Sequence, residues 1–298
     1  MNTEQAVDSI NVQTQPHSTD ERQSVPVRSE GNRPIERQHS PTLSLREAER
    51  LYEAASFLMW QYGVTFNVHL TILWHMLGMT DGALVTKALG MLNAEMAKWL
   101  KVGQWFEGMQ RRSRRFGYGG LHHYIAVHEN GGSEGLHTHE LLVVPPPVLP
   151  DFIAWTKTRL RDLSGQPWIP DTAVYFSLSN ARNEREAVER HWGWTRYVMK
   201  QTEPNVEVLG DDGTWTPATA IFKPWPHREM KPLPMTKAVV TSHTIGQTAR
   251  RREGFVSSYM KGDYEAMHDG HELAEHRERV RRFKHEAEIA EVLATLHT

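Results

Sequence analysis

His137-Thr138-His139 is the local pattern whose residue types and spacing point most directly to chemistry. On a β-strand alternate residues share a face, so positions 137 and 139 present both imidazoles to one side while Thr138 faces the other. Two neutral imidazoles make half of a divalent-metal site, and a third ligand must come from a neighbouring strand. Glu129 closes the preceding β-prone run, just across the glycine-rich NGGSEG, and offers a hard carboxylate oxygen. Two imidazoles with one carboxylate suit Mg2+ or Mn2+, leaving positions open for phosphate oxygens. His122, His123 and His128 are close in sequence and are also ligand types, so Glu129 is a choice among several. In a chain with 17 histidines an H-x-H pair also arises by accident.

A second feature lies downstream, in Tyr197-Val198-Met199-Lys200 within HWGWTRYVMKQ. Residues three apart on a helix differ by about 60° in azimuth, which puts Tyr197 and Lys200 on one face. A phenol, with a pKa of about 10, is a poor nucleophile unless its target is strongly activated. A metal that polarises a phosphodiester supplies that activation, and an adjacent ammonium can hold the same phosphate. The plainer alternative is an amphipathic-helix tyrosine beside a solvated lysine.

These side chains need a scaffold, and the pattern supplies one. Ser44 with Glu47 forms a capping box ahead of the amphipathic LREAERLYEAASFLMWQ. Val64–Trp74 is β-branched and partly alternating, which predicts a strand. Leu84, Ala88, Leu92, Met96 and Leu100 recur at helical spacing over Leu84–Trp105. Leu121–Glu129 and Thr138–Pro145 predict two strands joined across the glycine-rich spacer, and Val174–Leu178 another. Asn183–Gln201 predicts a helix that must end before Pro204. The expected class is α+β, a central antiparallel sheet of four to five strands with flanking helices and a helical C-terminal extension. Residues 1–41, poor in large apolar side chains, are expected to be disordered, and 42–205 to form the main domain. Residues 206–243 read as a hairpin turning at Asp212-Gly213 plus a proline-spaced linker, and 244–298 as a charged helical region.

Composition bounds the function. The 298 residues carry 34 Lys+Arg against 36 Asp+Glu, a formal net charge of −2, so any polyanion site must be local. The absence of cysteine excludes disulfides, iron–sulfur clusters, cysteine zinc fingers and thiol catalysis. No stretch approaches a membrane span, and the opening MNTEQAVDSINV has no basic-then-apolar leader pattern, so the expectation is a soluble, cytoplasmic protein without a membrane partner. Local basic clusters exist. Arg111, Arg112, Arg114 and Arg115, followed by Phe116 and Tyr118, form the best candidate groove for single-stranded nucleic acid. Arg250–Arg252 is a second cluster, and Arg277, Arg279, Arg281, Arg282 and Lys284 a third, on a helix whose acids partly compensate. Trp192 and Trp194 could stack on bases or pack their helix onto the sheet.

Taken together, IAVHENGGSEGLHTHELLVV at Ile125–Val144 and RYVMKQ at Arg196–Gln201 resemble the HUH endonucleases, specifically rolling-circle replication initiators with a single catalytic tyrosine. The resemblance covers roughly residues 60 to 205 and rests on order and spacing as well as residue type. It implies an HUH/RRM-like sheet with the tyrosine helix laid across it and a Mg2+ or Mn2+ ion on the sheet face. It further implies nicking of single-stranded DNA at a replication origin through a 5′-phosphotyrosine, initiating replication of a plasmid or phage, with a host helicase as a further partner. By the same carry-over Tyr197 is the nucleophile and Lys200 positions phosphate. His137, His139 and Glu129 hold metal, and Arg196 joins the arginine cluster in binding DNA. Three departures stand out: Thr138 replaces the usual bulky apolar residue, Glu140 follows on the far face, and Gly193 sits where some relatives carry a second tyrosine. A transposase or relaxase of the same superfamily, a non-catalytic DNA-binding regulator, and a metallohydrolase without covalent catalysis are the competing readings.

Overall fold

The structure, a computed structural model, describes residues 27–28, 40–102, 122–210, 213–226 and 230–296. Helix α1 (Leu45–Tyr62) starts as its sequence demands: the Glu47 carboxylate accepts from the backbone N–H of Ser44 at 2.9 Å and from its hydroxyl at 2.8 Å. It stops at Gly63, whose left-handed φ of 64° lets its N–H cap Met59. The other helices are α2 (Gly82–Val102), α3 (Leu149–Ser164), α4 (Glu184–Val198), the short α5 (Ala218–Phe222) and α6 (Gln247–Arg252), and α7 (His271–Leu296). The strands are β1 (Val27–Arg28), β2 (Val68–Leu73), β3 (Tyr124–Gly131), β4 (Gly135–Leu142), β5 (Val174–Leu178), β6 (Glu207–Leu209), β7 (Trp215–Pro217) and β8 (Val239–Thr241).

Five strands form one sheet in the order β5-β2-β4-β3-β8, every pair antiparallel. The α+β class with a five-stranded antiparallel sheet and flanking helices is therefore as expected. The histidine strand β4 is central, where backbone pairing on both sides fixes its register most firmly. Its register sets Glu129 opposite His137 on β3 and Thr71 opposite His139 on β2.

Helices cover both faces. On one, α1, α4 and α7 pack together: Tyr52 stacks on Trp192 at 5.3 Å, and Ser56 donates to Glu272. On the other, α2 and α3 meet through Trp99 with Phe152 and Trp155 and through an Arg159–Glu95 ion pair. The two layers enclose a continuous apolar core from Leu43 to Leu273. At about 25 cal/mol per Å2 of buried apolar surface, that core is the main stabilising term and holds the sheet rigid beneath the site.

Several boundaries differ from the pattern reading. The first expected strand is shorter, Val68–Leu73, because Trp74–Leu77 turns into a 3-10 segment that ends at Gly78 with φ 71°. The two histidine-region strands shift to 124–131 and 135–142, bringing His137 inside the ladder. Helix α4 ends at Val198 instead of Gln201, so Lys200 lies past the helix and reaches its neighbours from a turn. Helix α3 is additional to the expected elements. Val239–Thr241, within the stretch read as hairpin and linker, supplies the edge strand β8. Val27–Arg28, within the stretch expected to be disordered, pairs with β6 in a second sheet of order β1-β6-β7, because the β6–β7 hairpin offers an unpaired edge. The turn residue Asp212 falls outside the described residues.

Candidate functional site

Alternation on the sheet sorts the histidines. Glu129, His137, His139, Thr71 and His69 share one face, and His128, Thr138 and Glu140 the other. The expected trio is brought together: one ligand atom from each of Glu129, His137 and His139 lies within 4.8 Å of the others, and all three residues are buried. The alternative ligands go elsewhere. His128 bonds Thr138 at 2.7 Å on the far face, His122 bonds Asn93 at 2.6 Å, and His123 bonds Thr244 at 2.9 Å.

Hydrogen bonding fixes what this trio can do. Gly135 adopts φ 54° and its carbonyl lies 2.8 Å from His137 Nδ1, so that nitrogen donates and Nε2 is turned towards the carboxylate. Nδ1 of His139 is 3.0 Å from Thr71 Oγ1 and 3.1 Å from His69 Nε2, which fixes its ring orientation with Nε2 turned to the carboxylate. Burial holds His139 down at about 4, so its imidazole is neutral near pH 7. Nε2 of His137 lies 3.2 Å from Glu129 Oε2, and Nε2 of His139 lies 3.6 Å from it. These three atoms are buried and make no hydrogen bond. Two imidazole nitrogens and a carboxylate oxygen converging in a buried site are a donor set that fits a divalent metal. The group could therefore hold a metal ion, and its antiparallel-sheet setting is compatible with an HUH motif.

The remaining predicted residues surround this trio. Lys200 is buried, its Nζ 2.5 Å from Glu129 Oε1 and 4.0 Å from the centre of the Tyr197 ring. It is thus an internal counter-charge to the carboxylate, not a solvated lysine. The Tyr197 ring is half-buried and packs edge-on to His139 at 5.0 Å. Arg196 donates from Nε to the Lys223 carbonyl at 2.5 Å, and its own carbonyl accepts from Trp225 N–H at 3.1 Å. The guanidinium, expected to contact DNA, ties the loop 223–226 to the end of α4 through this bond. Arg111, Arg112, Arg114 and Arg115 lie outside the described residues. Trp192 is packed into the core, as one of its two readings expects, and Trp194 is 7% exposed.

A cleft of about 760 Å3 opens beside Tyr197, lined among others by His69, Arg182, Arg190, Trp194 and Trp225. Arg190 sits 5.8 Å over the Trp194 ring and bonds Asn180 at 3.1 Å, and half-exposed Trp225 meets Tyr197 edge-on at 5.4 Å. Gly193, one turn before Tyr197, leaves open space at this wall. His69 and Trp225 are the participants that sequence reasoning missed. His69 was legible in principle, since VHLTI alternates and a histidine on a strand beside H-x-H shares its face at every second position; Trp225 had no local signal.

The far face carries a different polar group. Glu140 is fully buried and burial pushes its carboxyl up to about 8, so it is neutral, with the Asn93 amide beside it partly opposing the shift. Thr138 accepts from Trp74 Nε1 at 2.6 Å, which explains how a hydroxyl occupies a buried position expected to be apolar. The chain matches no protein-family model, no curated protein and no solved structure. No helix among the described residues is long and apolar enough to cross a membrane.

Proposed function

We propose that this protein is a metal-dependent, single-tyrosine strand transferase of the HUH type, which nicks single-stranded DNA to initiate rolling-circle replication. The observation that carries this reading is the convergence of Glu129 Oε2, His137 Nε2 and His139 Nε2 beside a tyrosine packed on His139 and facing an open cleft. A bound Mg2+ or Mn2+ would polarise the scissile phosphate.

Every other part is played by the chain itself. Tyr197 Oη forms a bond to phosphorus as the P–O3′ bond breaks; the phenol proton leaves to solvent and the departing 3′-oxygen takes one up. The phosphate ester is conserved as a 5′-phosphotyrosine, so rejoining needs no nucleotide hydrolysis. Lys200, held between Glu129 and the Tyr197 ring, keeps the tyrosine beside the metal ligands and offsets their negative charge. Arg190 and Trp225 offer a cation and an aromatic face to the strand entering the cleft.

The test is adduct formation. Full-length protein is incubated with Mn2+ and labelled single strands tiled across the DNA flanking its own coding region, then denatured. The expected result is a covalent protein–DNA species lost in Tyr197→Phe and in EDTA. Failure of every strand to form an adduct overturns covalent catalysis, and an adduct that survives Tyr197→Phe overturns the nucleophile.

A further inference from the structure

Helix α7 opens on Asp269-Gly270-His271-Glu272, which sets a carboxylate, an imidazole and a second carboxylate within four residues. The backbone turn brings them to one point. Gly270 takes φ 83°, and a Cβ there would lie 2.7 Å from the Val188 side chain of α4, so the turn presses against that helix as glycine alone permits. Asp269 Oδ1 then accepts the His271 backbone N–H at 2.9 Å and lies 2.7 Å from His271 Nδ1. Glu272 Oε2 lies 3.7 Å from the same nitrogen. One ligand atom from each of the three residues is within 4.8 Å of the others.

Neighbouring elements orient the group. Ser258 Oγ lies 3.1 Å from His271 Nε2, and Ser56 of α1 donates to Glu272 Oε1. Each contact holds the atom turned away from the group, as outer partners do around metal ligands. Glu272 is 1% exposed, and its remaining oxygen, Oε2, is buried without a hydrogen bond. Such an oxygen is costly to leave unmet, and 3.7 Å is too long for Nδ1 to serve it. Burial opposes charge on His271, yet the Glu272 and Asp269 carboxylates raise its pKa, so the turn attracts positive charge. The helix dipole works against a cation here, but with about half a charge against two carboxylates.

We propose that Asp269 Oδ1, His271 Nδ1 and Glu272 Oε2 form a second metal site, which takes Zn2+ and clasps the start of α7 to α1. One imidazole nitrogen and two carboxylate oxygens, with the half-exposed Asp269 side chain leaving a fourth position to water, match the tetrahedral preference of zinc. Ligand atoms about 2.0 Å from zinc stand about 3.3 Å apart, so the 3.7 Å contact closes slightly and the 2.7 Å contact opens as the Asp269 side chain rotates. Glu272 carries the effect inward, because its other oxygen is held by Ser56. The site shares no residue with Glu129, His137 and His139 and is independent of the chemistry proposed for the sheet face.

Calorimetric titration of full-length, EDTA-stripped and desalted protein with Zn2+ tests this. The wild type is expected to take up one equivalent more than Asp269→Asn and than His271→Gln. Whatever the sheet-face trio binds changes all three counts alike, so the difference reads the second site alone. Asp269→Asn keeps an oxygen for the His271 N–H, and its circular dichroism is expected to match the wild type. In zinc-soaked crystals of the wild type, an anomalous peak at the zinc edge is expected about 2.0 Å from His271 Nδ1. Equal uptake by the three proteins overturns the proposal. So does a zinc-saturated crystal with no peak at that nitrogen, which decides the matter alone if a variant loses its fold.

Discussion

Lys200 Nζ lies 2.5 Å from Glu129 Oε1, while the other oxygen of the same carboxylate faces the two imidazole nitrogens. Both partners are almost completely buried, at 3% and 2% exposure, so neither charge can fall back on water. The carboxylate is therefore divided between a permanent internal cation on one oxygen and a ligand position on the other. Removing the cation strands a buried anion, an effect of about 3 kcal/mol or more. Lys200→Met is expected to lower the melting temperature by about 10 °C in EDTA. Mn2+ should recover more of that loss in the variant than it adds to the wild type, because the ion then supplies the positive charge that the lysine no longer does. Thermal melts with and without Mn2+ check this, and a variant as stable as the wild type in EDTA would show that the pair carries no such energy.

The convergence of His137 Nε2 and His139 Nε2 on the carboxylate makes a separate prediction. His137→Ala and His139→Ala should each abolish the Mn2+-induced rise in melting temperature, whereas Tyr197→Phe should leave it intact, since the phenol contributes no ligand atom to the trio. His139→Ala is expected to cost more stability than His137→Ala in EDTA, because its Nδ1 also serves Thr71 and His69. An equal Mn2+ shift in all four proteins would place the ion elsewhere.

The cleft predicts how a strand is held. Trp225 presents a half-exposed ring edge-on to Tyr197, on a loop tied to Arg196 through its own N–H and the Lys223 carbonyl. Base stacking on one aromatic ring is worth about 1–3 kcal/mol. Trp225→Ala in a Tyr197→Phe background should weaken binding of a single-stranded oligonucleotide about tenfold or more, and Trp225→Phe should retain most of it. Arg190→Ala should instead flatten the salt dependence, because it removes a phosphate contact. Fluorescence anisotropy across a salt series separates the two, and unchanged binding in Trp225→Ala would exclude stacking there.

How much of this was legible beforehand depends on the range of the determinant. The capping box at Ser44 and Glu47 and the strand alternation through His137 and His139 are local, and both are realised. The pairing of Glu129 with His137 follows once the glycine-rich connection is read as a hairpin, since register then decides which histidines share the carboxylate's face. Lys200 was expected beside Tyr197 on a helix, but α4 stops at Val198, and the lysine reaches the tyrosine ring only by turning inward to Glu129, 71 residues away in sequence. Trp225 and the strand Val239–Thr241 owe their positions to partners on other strands and loops, which no local pattern encodes.

The last prediction concerns acid stability. His191 is fully buried, accepts from the Phe66 backbone N–H at its Nδ1 at 3.1 Å, and stacks on the Phe66 ring at 5.0 Å. Burial pushes its pKa down to about 3 from an ordinary 6.5, so the folded protein holds it neutral while the unfolded chain protonates it. Above pH 6.5 both states are neutral and the group has no effect on stability. As pH falls from 6.5 towards 3, the unfolded state gains a proton that the folded state refuses, and stability drops by about 1.4 kcal/mol per pH unit. His122, His123 and His128, held down at about 3, 3 and 4 by burial, act in the same direction and steepen the loss. His191→Asn keeps an acceptor for the Phe66 N–H but cannot titrate. Urea denaturation in EDTA at pH 7.5, 5.5 and 4.5 should show the variant less stable at pH 7.5 yet with a shallower decline, closing the gap by about 2.5 kcal/mol at pH 4.5. Parallel curves for the two proteins over this range would mean that His191 takes up its proton as readily folded as unfolded.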